Sequence, residues 1–191
     1  MYFLYYTVNA SMTSPPHTSA ERGNSWNLHK TNNLRCDLLF EGDENEINKT
    51  LHPSSKRQLL TPEHYINLTK NCDTFKTNRS YIVDSLTQEE ENFPIAYTIM
   101  MYRDVEQSER LLRSIYRPQN FYCIHIDKKS PDILHKAMCD IAFCFPNVFI
   151  SPRSIDVQWG GFSVLEQELL CMEYLIRYKW RYVFSLLCKA G

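Results

Sequence analysis

Asp127, Lys128 and Lys129 follow the unbroken apolar run Phe121-Tyr122-Cys123-Ile124-His125-Ile126. A carboxylate in that place can accept hydrogen bonds from a ribose or a base, or help to hold a metal, and lysines meet phosphate as point charges. Tyr102 and Arg103 end a second apolar run, Ile95 to Met101, and Trp159-Gly160-Gly161 precedes a helical pattern. There an aromatic ring can stack on a base while glycines let the backbone approach a ligand. Each group alone has an ordinary reading: a turn aspartate, solvated lysines and, for His125, a satisfied core histidine. Three such loops together point to a nucleotide-type site. No Gly-x-Gly-x-x-Gly or P-loop is present, which disfavours dinucleotide oxidoreductases and P-loop ATPases. Asp-x-Asp is also absent, and with it the bidentate manganese site of many sugar-nucleotide transferases.

Positioning these groups requires a layered fold. Ile95 to Met101 and Phe121 to Ile126 read as strands buried on both faces, as in a parallel sheet covered by helices. In such sheets ligands lie beyond the carboxyl ends of the strands, where Asp127 falls. Val105, Leu111, Leu112 and Ile115 predict a helix that stops before Pro118. Ser130-Pro131 is expected to cap a helix carrying Ile133, Leu134, Ala137, Met138, Ile141 and Ala142 on one side. Val148-Phe149-Ile150 forms a short third strand in this reading. Ser163-Val164-Leu165-Glu166 reads as a capping box opening a helix with Leu165, Leu169, Met172 and Ile176 inward. Tyr182 to Leu187 supplies a fourth strand, and its apolar side chains predict an uncovered, aggregation-prone element. The alternation predicts an α/β domain with a mostly parallel sheet over residues 93–191. Residues 1–35, rich in Ser, Thr, Asn and Pro, read as a flexible stem, and residues 36–92 as a mixed lead-in. Within the lead-in, Thr61-Pro62-Glu63 marks a helix start.

Lys and Arg total 21 against 22 Asp and Glu, which argues against a dominant electrostatic mode of nucleic-acid binding. Seven cysteines, none paired as Cys-x-x-Cys, suit long-range disulfides better than a zinc site. Four acceptor triplets for N-glycosylation begin at Asn9, Asn48, Asn67 and Asn78, and with the cysteines they favour a secretory-pathway lumen. Met1 to Val8 is apolar, but a membrane span needs about 20 residues. A lumenal protein with this start would therefore have its anchor outside the sequence.

Four segments carry a family resemblance: Phe93-Pro94-Ile95-Ala96-Tyr97, Arg110-Leu111-Leu112-Arg113-Ser114-Ile115-Tyr116, Pro118 to Asp127, and Cys144-Phe145-Pro146-Asn147-Val148-Phe149. Together they closely resemble the core 2 branching β-1,6-N-acetylglucosaminyltransferases of glycosyltransferase family 14, and more distantly the protein xylosyltransferases. The resemblance implies a GT-A-like (Rossmann-like) domain, incomplete here, in a type II Golgi membrane enzyme facing the lumen. Such enzymes move N-acetylglucosamine from UDP-N-acetylglucosamine to the 6-hydroxyl of O-glycan acceptors, with inversion and without a metal or cofactor. It maps the donor nucleotide onto Met100, Met101 and Tyr102, onto Asp127, Lys128 and Lys129, and onto Trp159. Many members carry His and Tyr at the positions of Tyr102 and Trp159. It also implies the disulfides Cys72–Cys144 and Cys123–Cys171 and an absent partner for Cys36; Cys139 has no counterpart in it and is expected to be a buried free thiol.

The general-base glutamate of the family maps beyond Gly191, as do most acceptor contacts and the basic residues that neutralise the departing diphosphate. General-base and electrostatic catalysis are each worth orders of magnitude. The expectation is therefore that no catalytic residue lies in this chain and that it does not turn over alone. Two other expectations stand beside this one. The first is xylosyltransferase-like donor specificity; the second is a non-catalytic lumenal glycoprotein that pairs with a full-length relative, and in either case a homo- or hetero-dimer is an expected assembly.

Overall fold

The computed structural model describes residues 35–51 and 60–188. The chain divides into two compact units, residues 1–52 and residues 53–191. In the first, α1 (Cys36–Glu41) and α2 (Glu44–Leu51) are joined by Gly42, whose φ of 81° closes the first helix in the left-handed region. Glu46 is buried there, accepting from the Arg35 N–H and pairing with Lys49.

The second unit opens with three short helices, α3 (Pro62–Leu68), α4 (Cys72–Asn78) and α5 (Gln88–Glu91). Each starts where sequence chemistry demands. Thr61 accepts from the His64 N–H, Asn71 from the Thr74 N–H and Thr87 from the Glu90 N–H. There follow β1 (Ile95–Met101), α6 (Val105–Ile115), β2 (Phe121–Ile126) and α7 (Asp132–Phe143). The chain then runs through β3 (Val148–Ile150), α8 (Ser163–Leu175) and β4 (Tyr182–Leu187). All strand pairs are parallel, and the spatial order is β3-β2-β1-β4. Each parallel pair therefore needs a crossover, and the helices supply it.

Those crossovers use both faces. Leu112 of α6 and Leu134, Ala137, Met138 and Ile141 of α7 share one core with Ile99, Tyr122, Ile124 and Ile126. Tyr65, Phe75 and Tyr81 from the lead-in join the same core. Cys171 and Leu175 of α8 pack on Ala96 and Cys123 in a second core across the sheet. The expected α/β class and all four expected strands are present. Both expected disulfides form, Cys72–Cys144 and Cys123–Cys171.

Four local expectations are corrected. Ser163 does not cap α8: Phe162 holds that place, and the Ser163 hydroxyl accepts from the Gln158 N–H instead, at 2.7 Å. The inward face of α8 is Gln167, Leu170, Cys171 and Leu175, whereas Leu165, Leu169 and Ile176 are exposed. The bond from Cys171 to Cys123 fixes this rotation, because a cystine can only reach the strand from the sheet-facing side. Ser130 leaves the α7 cap to Pro131 and donates to the Tyr102 carbonyl at 2.6 Å. Cys139 is free but exposed, lying on the outer side of α7 opposite the buried Leu134, Met138 and Ile141. Among the described residues no helix is long and apolar enough to cross a membrane. The Asn48, Asn67 and Asn78 side chains are exposed, as glycan acceptors must be. Asn9 and the expected stem up to residue 34 lie outside the described residues.

Candidate nucleotide site

The strand order places a crevice before any side chain is considered. From β1 the chain steps to β2 and β3 on one side, then returns to place β4 on the other. In open α/β sheets the two loops leaving such a reversal point diverge, and ligands settle outside the carboxyl ends there. A cavity of about 150 Å³ occupies that position. Its wall combines Met100 and Met101 at the end of β1 with Tyr102 after it, Leu187 at the end of β4 with Cys188 after it, Asp127 after β2, Val157 and Trp159 before α8, and Gln167 within α8.

The lining is mostly apolar, with the side chains of Asp127, Gln167 and Tyr102 among its polar groups, the usual composition of a small-molecule site. Asp127 is only 5 % exposed, and its loop is tied on every side. Its N–H donates to the Met101 carbonyl at 3.0 Å, extending the β1–β2 ladder by one rung. One carboxylate oxygen accepts from the Lys129 N–H at 2.8 Å, and its carbonyl accepts from the Ser130 N–H at 2.9 Å. The second carboxylate oxygen lies 3.8 Å from the Lys129 ammonium. Two residues before it, His125 is fully buried; its Nε2 accepts from the Ile155 N–H at 3.2 Å, which makes the ring the neutral Nδ1–H tautomer. Burial pushes its imidazole below the ordinary range, although Asp127 and Gln167 pull the other way.

The third loop carries Trp159, 77 % exposed at the mouth of the cavity, with Gly160 next to it at φ 80°. That glycine is needed, since an L side chain is strained in the left-handed region. Lys129 reaches across to this loop: its ammonium lies 2.9 Å from Asp156, donates to the Val157 carbonyl at 2.6 Å, and sits 5.8 Å from the Tyr102 ring centre. The hydrogen bond to Asp156 and the nearby carboxylates raise its pKa. Lys128 turns outward, its ammonium exposed. Arg103 lies over the Tyr102 ring at 4.7 Å and is also exposed.

Met100, Met101, Tyr102, Asp127 and Trp159 thus meet at one cavity. Lys129 borders it through its ion pairs, and Lys128 stands outside the lining. The sequence reading missed Gln167, Val157, Leu187 and Cys188. Gln167 was legible in principle: with Cys171 turned inward, positions four residues away on either side, Gln167 and Leu175, must share its face.

A family model described as "Core-2/I-Branching enzyme" matches residues 95–190, just over half of the chain. The chain is 41% identical over 163 residues to a human beta-1,3-galactosyl-O-glycosyl-glycoprotein beta-1,6-N-acetylglucosaminyltransferase, covering 82% of this chain and 38% of that protein. A second human enzyme, with the same name followed by the number 3, is 37% identical over 158 residues (80% and 36%). The protein of the same name from bovine herpesvirus 4 (strain LVR140) is 36% identical over 168 residues (85% and 38%). The chain therefore spans less than two fifths of the length of the curated relatives it matches. The matched segment begins at β1 and contains every residue that lines the cavity. With its parallel sheet, its two cystines and its strand-end crevice inside or beside that segment, the chain belongs to the Core-2/I-branching enzyme family.

Proposed function

We propose that this chain carries the donor-nucleotide site of a β-1,6-N-acetylglucosaminyltransferase that branches protein O-glycans. The observation that carries the reading is the convergence of Asp127, Tyr102 and Trp159 on one crevice at the reversal point of the sheet. In this reading the apolar floor of Met100, Met101 and Leu187 receives the uracil ring. Asp127 accepts from the base or ribose, Trp159 closes the ring's exposed face, and Lys128 with Arg103 meets the diphosphate from solvent. Uniform binding of the nucleotide is separate from catalysis, which requires groups that act on the acceptor hydroxyl and the leaving phosphate. The transfer that this donor site serves uses UDP-N-acetylglucosamine as donor, glycoprotein O-glycans as acceptors and no metal cofactor, in a lumenal Golgi setting.

Displacement experiments test the donor assignment. Bound UDP should be displaced by UDP-N-acetylglucosamine at lower concentration than by UDP-xylose, and chelation of divalent cations should leave binding unchanged. Preference for UDP-xylose would transfer the chain to xylosyltransferase-like specificity. Equal displacement by ADP or GDP would remove the uracil assignment.

A further inference from the structure

We propose that Lys129 is a positioning residue that clamps the segment between β3 and α8, and so sets Trp159 as the outer wall of the pocket, rather than a ligand of the donor phosphates. The inference rests on the donor-site reading above and assigns a role within that site.

Three consecutive residues of the chain between β3 and α8 are held from β2 and its loop. The Ile155 N–H donates to His125 Nε2 at 3.2 Å, and the Ile155 carbonyl accepts from the Lys128 N–H at 3.0 Å. Asp156 pairs with the Lys129 ammonium at 2.9 Å, and the Val157 carbonyl accepts from the same group at 2.6 Å. Trp159 follows two residues later. An ammonium has three donors and no acceptor. Two of them are committed to Asp156 and Val157, and Asp127 lies 3.8 Å away on the remaining side. Two carboxylates against one ammonium leave this trio net negative. A diphosphate arriving there would have to displace protein carboxylates from the lysine, whereas Lys128 next to it is exposed and has no side-chain partner among the described residues. Lys129 is thus the less suitable phosphate ligand of the two. Its contacts join all three loops of the site: Tyr102 after β1, Asp127 after β2, and Asp156 with Val157 before α8.

Lys129→Met and Asp156→Asn remove the clamp from opposite ends, and both sites are partly exposed, so neither change opens the core. Hydrogen exchange without ligand should show the amides of Ile155 and its neighbours opening about tenfold faster in both variants, the effect of one charge-assisted hydrogen bond, with Lys129→Arg largely restoring protection. Titrations with uridine and with UDP should weaken by the same factor in Lys129→Met, because a displaced wall affects the base and not the phosphates. Unchanged exchange in both variants overturns the clamp. A loss confined to UDP, with uridine binding intact, overturns it too and makes Lys129 a phosphate ligand. If the parent chain binds neither compound, the donor-site reading fails, and exchange alone still decides the clamp.

Discussion

His125 and Asp127 are separated by one residue on the same strand end, yet their surroundings assign them opposite work. Asp127 lines the cavity and accepts from the Lys129 N–H, while His125 is sealed beneath α8 and holds the Ile155 N–H. Burial depresses the imidazole, opposed by Asp127 and Gln167 and aided by the neighbouring His135. The folded chain therefore binds fewer protons at His125 than the unfolded chain. Its contribution to stability is complete above the ordinary value of 6.5 and is lost as pH falls through that value. Urea unfolding should accordingly give a lower midpoint at pH 5 than at pH 7.5. His125→Gln keeps an acceptor for Ile155 without a titrating ring and should flatten that difference; an equally steep profile in the variant would assign the dependence elsewhere. At this scale the sequence was informative where a polar residue interrupts an apolar run, as Asp127 does. Where a polar residue is buried inside a helix, as Gln167 is, no interruption marks it, and only its four-residue spacing to Cys171 could have placed it.

Helix α6 shows how Tyr65, Arg79 and Tyr81 are secured to the sheet domain. Glu109, with no exposed surface, accepts from the hydroxyls of Tyr65 and Tyr81 and pairs with Arg79 and Arg113. Burial and the Glu109 charge together raise the pKa values of both phenols. Removing the shared carboxylate strands two guanidinium groups, so Glu109→Ala should cost about 3–5 kcal/mol in chemical denaturation. A loss below 1 kcal/mol would mean that water replaces the carboxylate freely. The Cys72–Cys144 bond ties α4 to the end of α7 across 72 residues of sequence. Its replacement by two serines should remove about 4 kcal/mol, by the loop entropy of the unfolded chain. The strands and the first two crossover helices were legible because continuous apolar runs and 3.6-residue stripes are both present in 95–143. The rotation of α8 was not, since it carries two apolar stripes and only the Cys171 tether chooses between them.

The two edges of the sheet are unequal. One edge of the sheet, β3, is three residues long. The other, β4, leaves Tyr182, Phe184 and Leu187 half exposed, with Tyr182 stacked on Phe93 and Phe184 on Tyr97. An exposed apolar edge strand weakens a domain and invites association. Calorimetry of the chain should find no cooperative transition above about 60 °C, at the upper end of ordinary domains; a sharp transition beyond that would show the edge to be adequately covered. The same edge reaches the strand-end crevice, because Leu187 and Cys188 join the ends of β1 and β2, the loop before α8 and Gln167 in its lining. The most direct test of that crevice is calorimetric titration of UDP into the chain and into Asp127→Ala. The donor-site account predicts saturable binding by the parent chain and affinity about 10- to 100-fold weaker in the variant, the value of hydrogen bonds to a charged group. Equal affinity in the two proteins, or no binding by the parent at millimolar UDP, would contradict it.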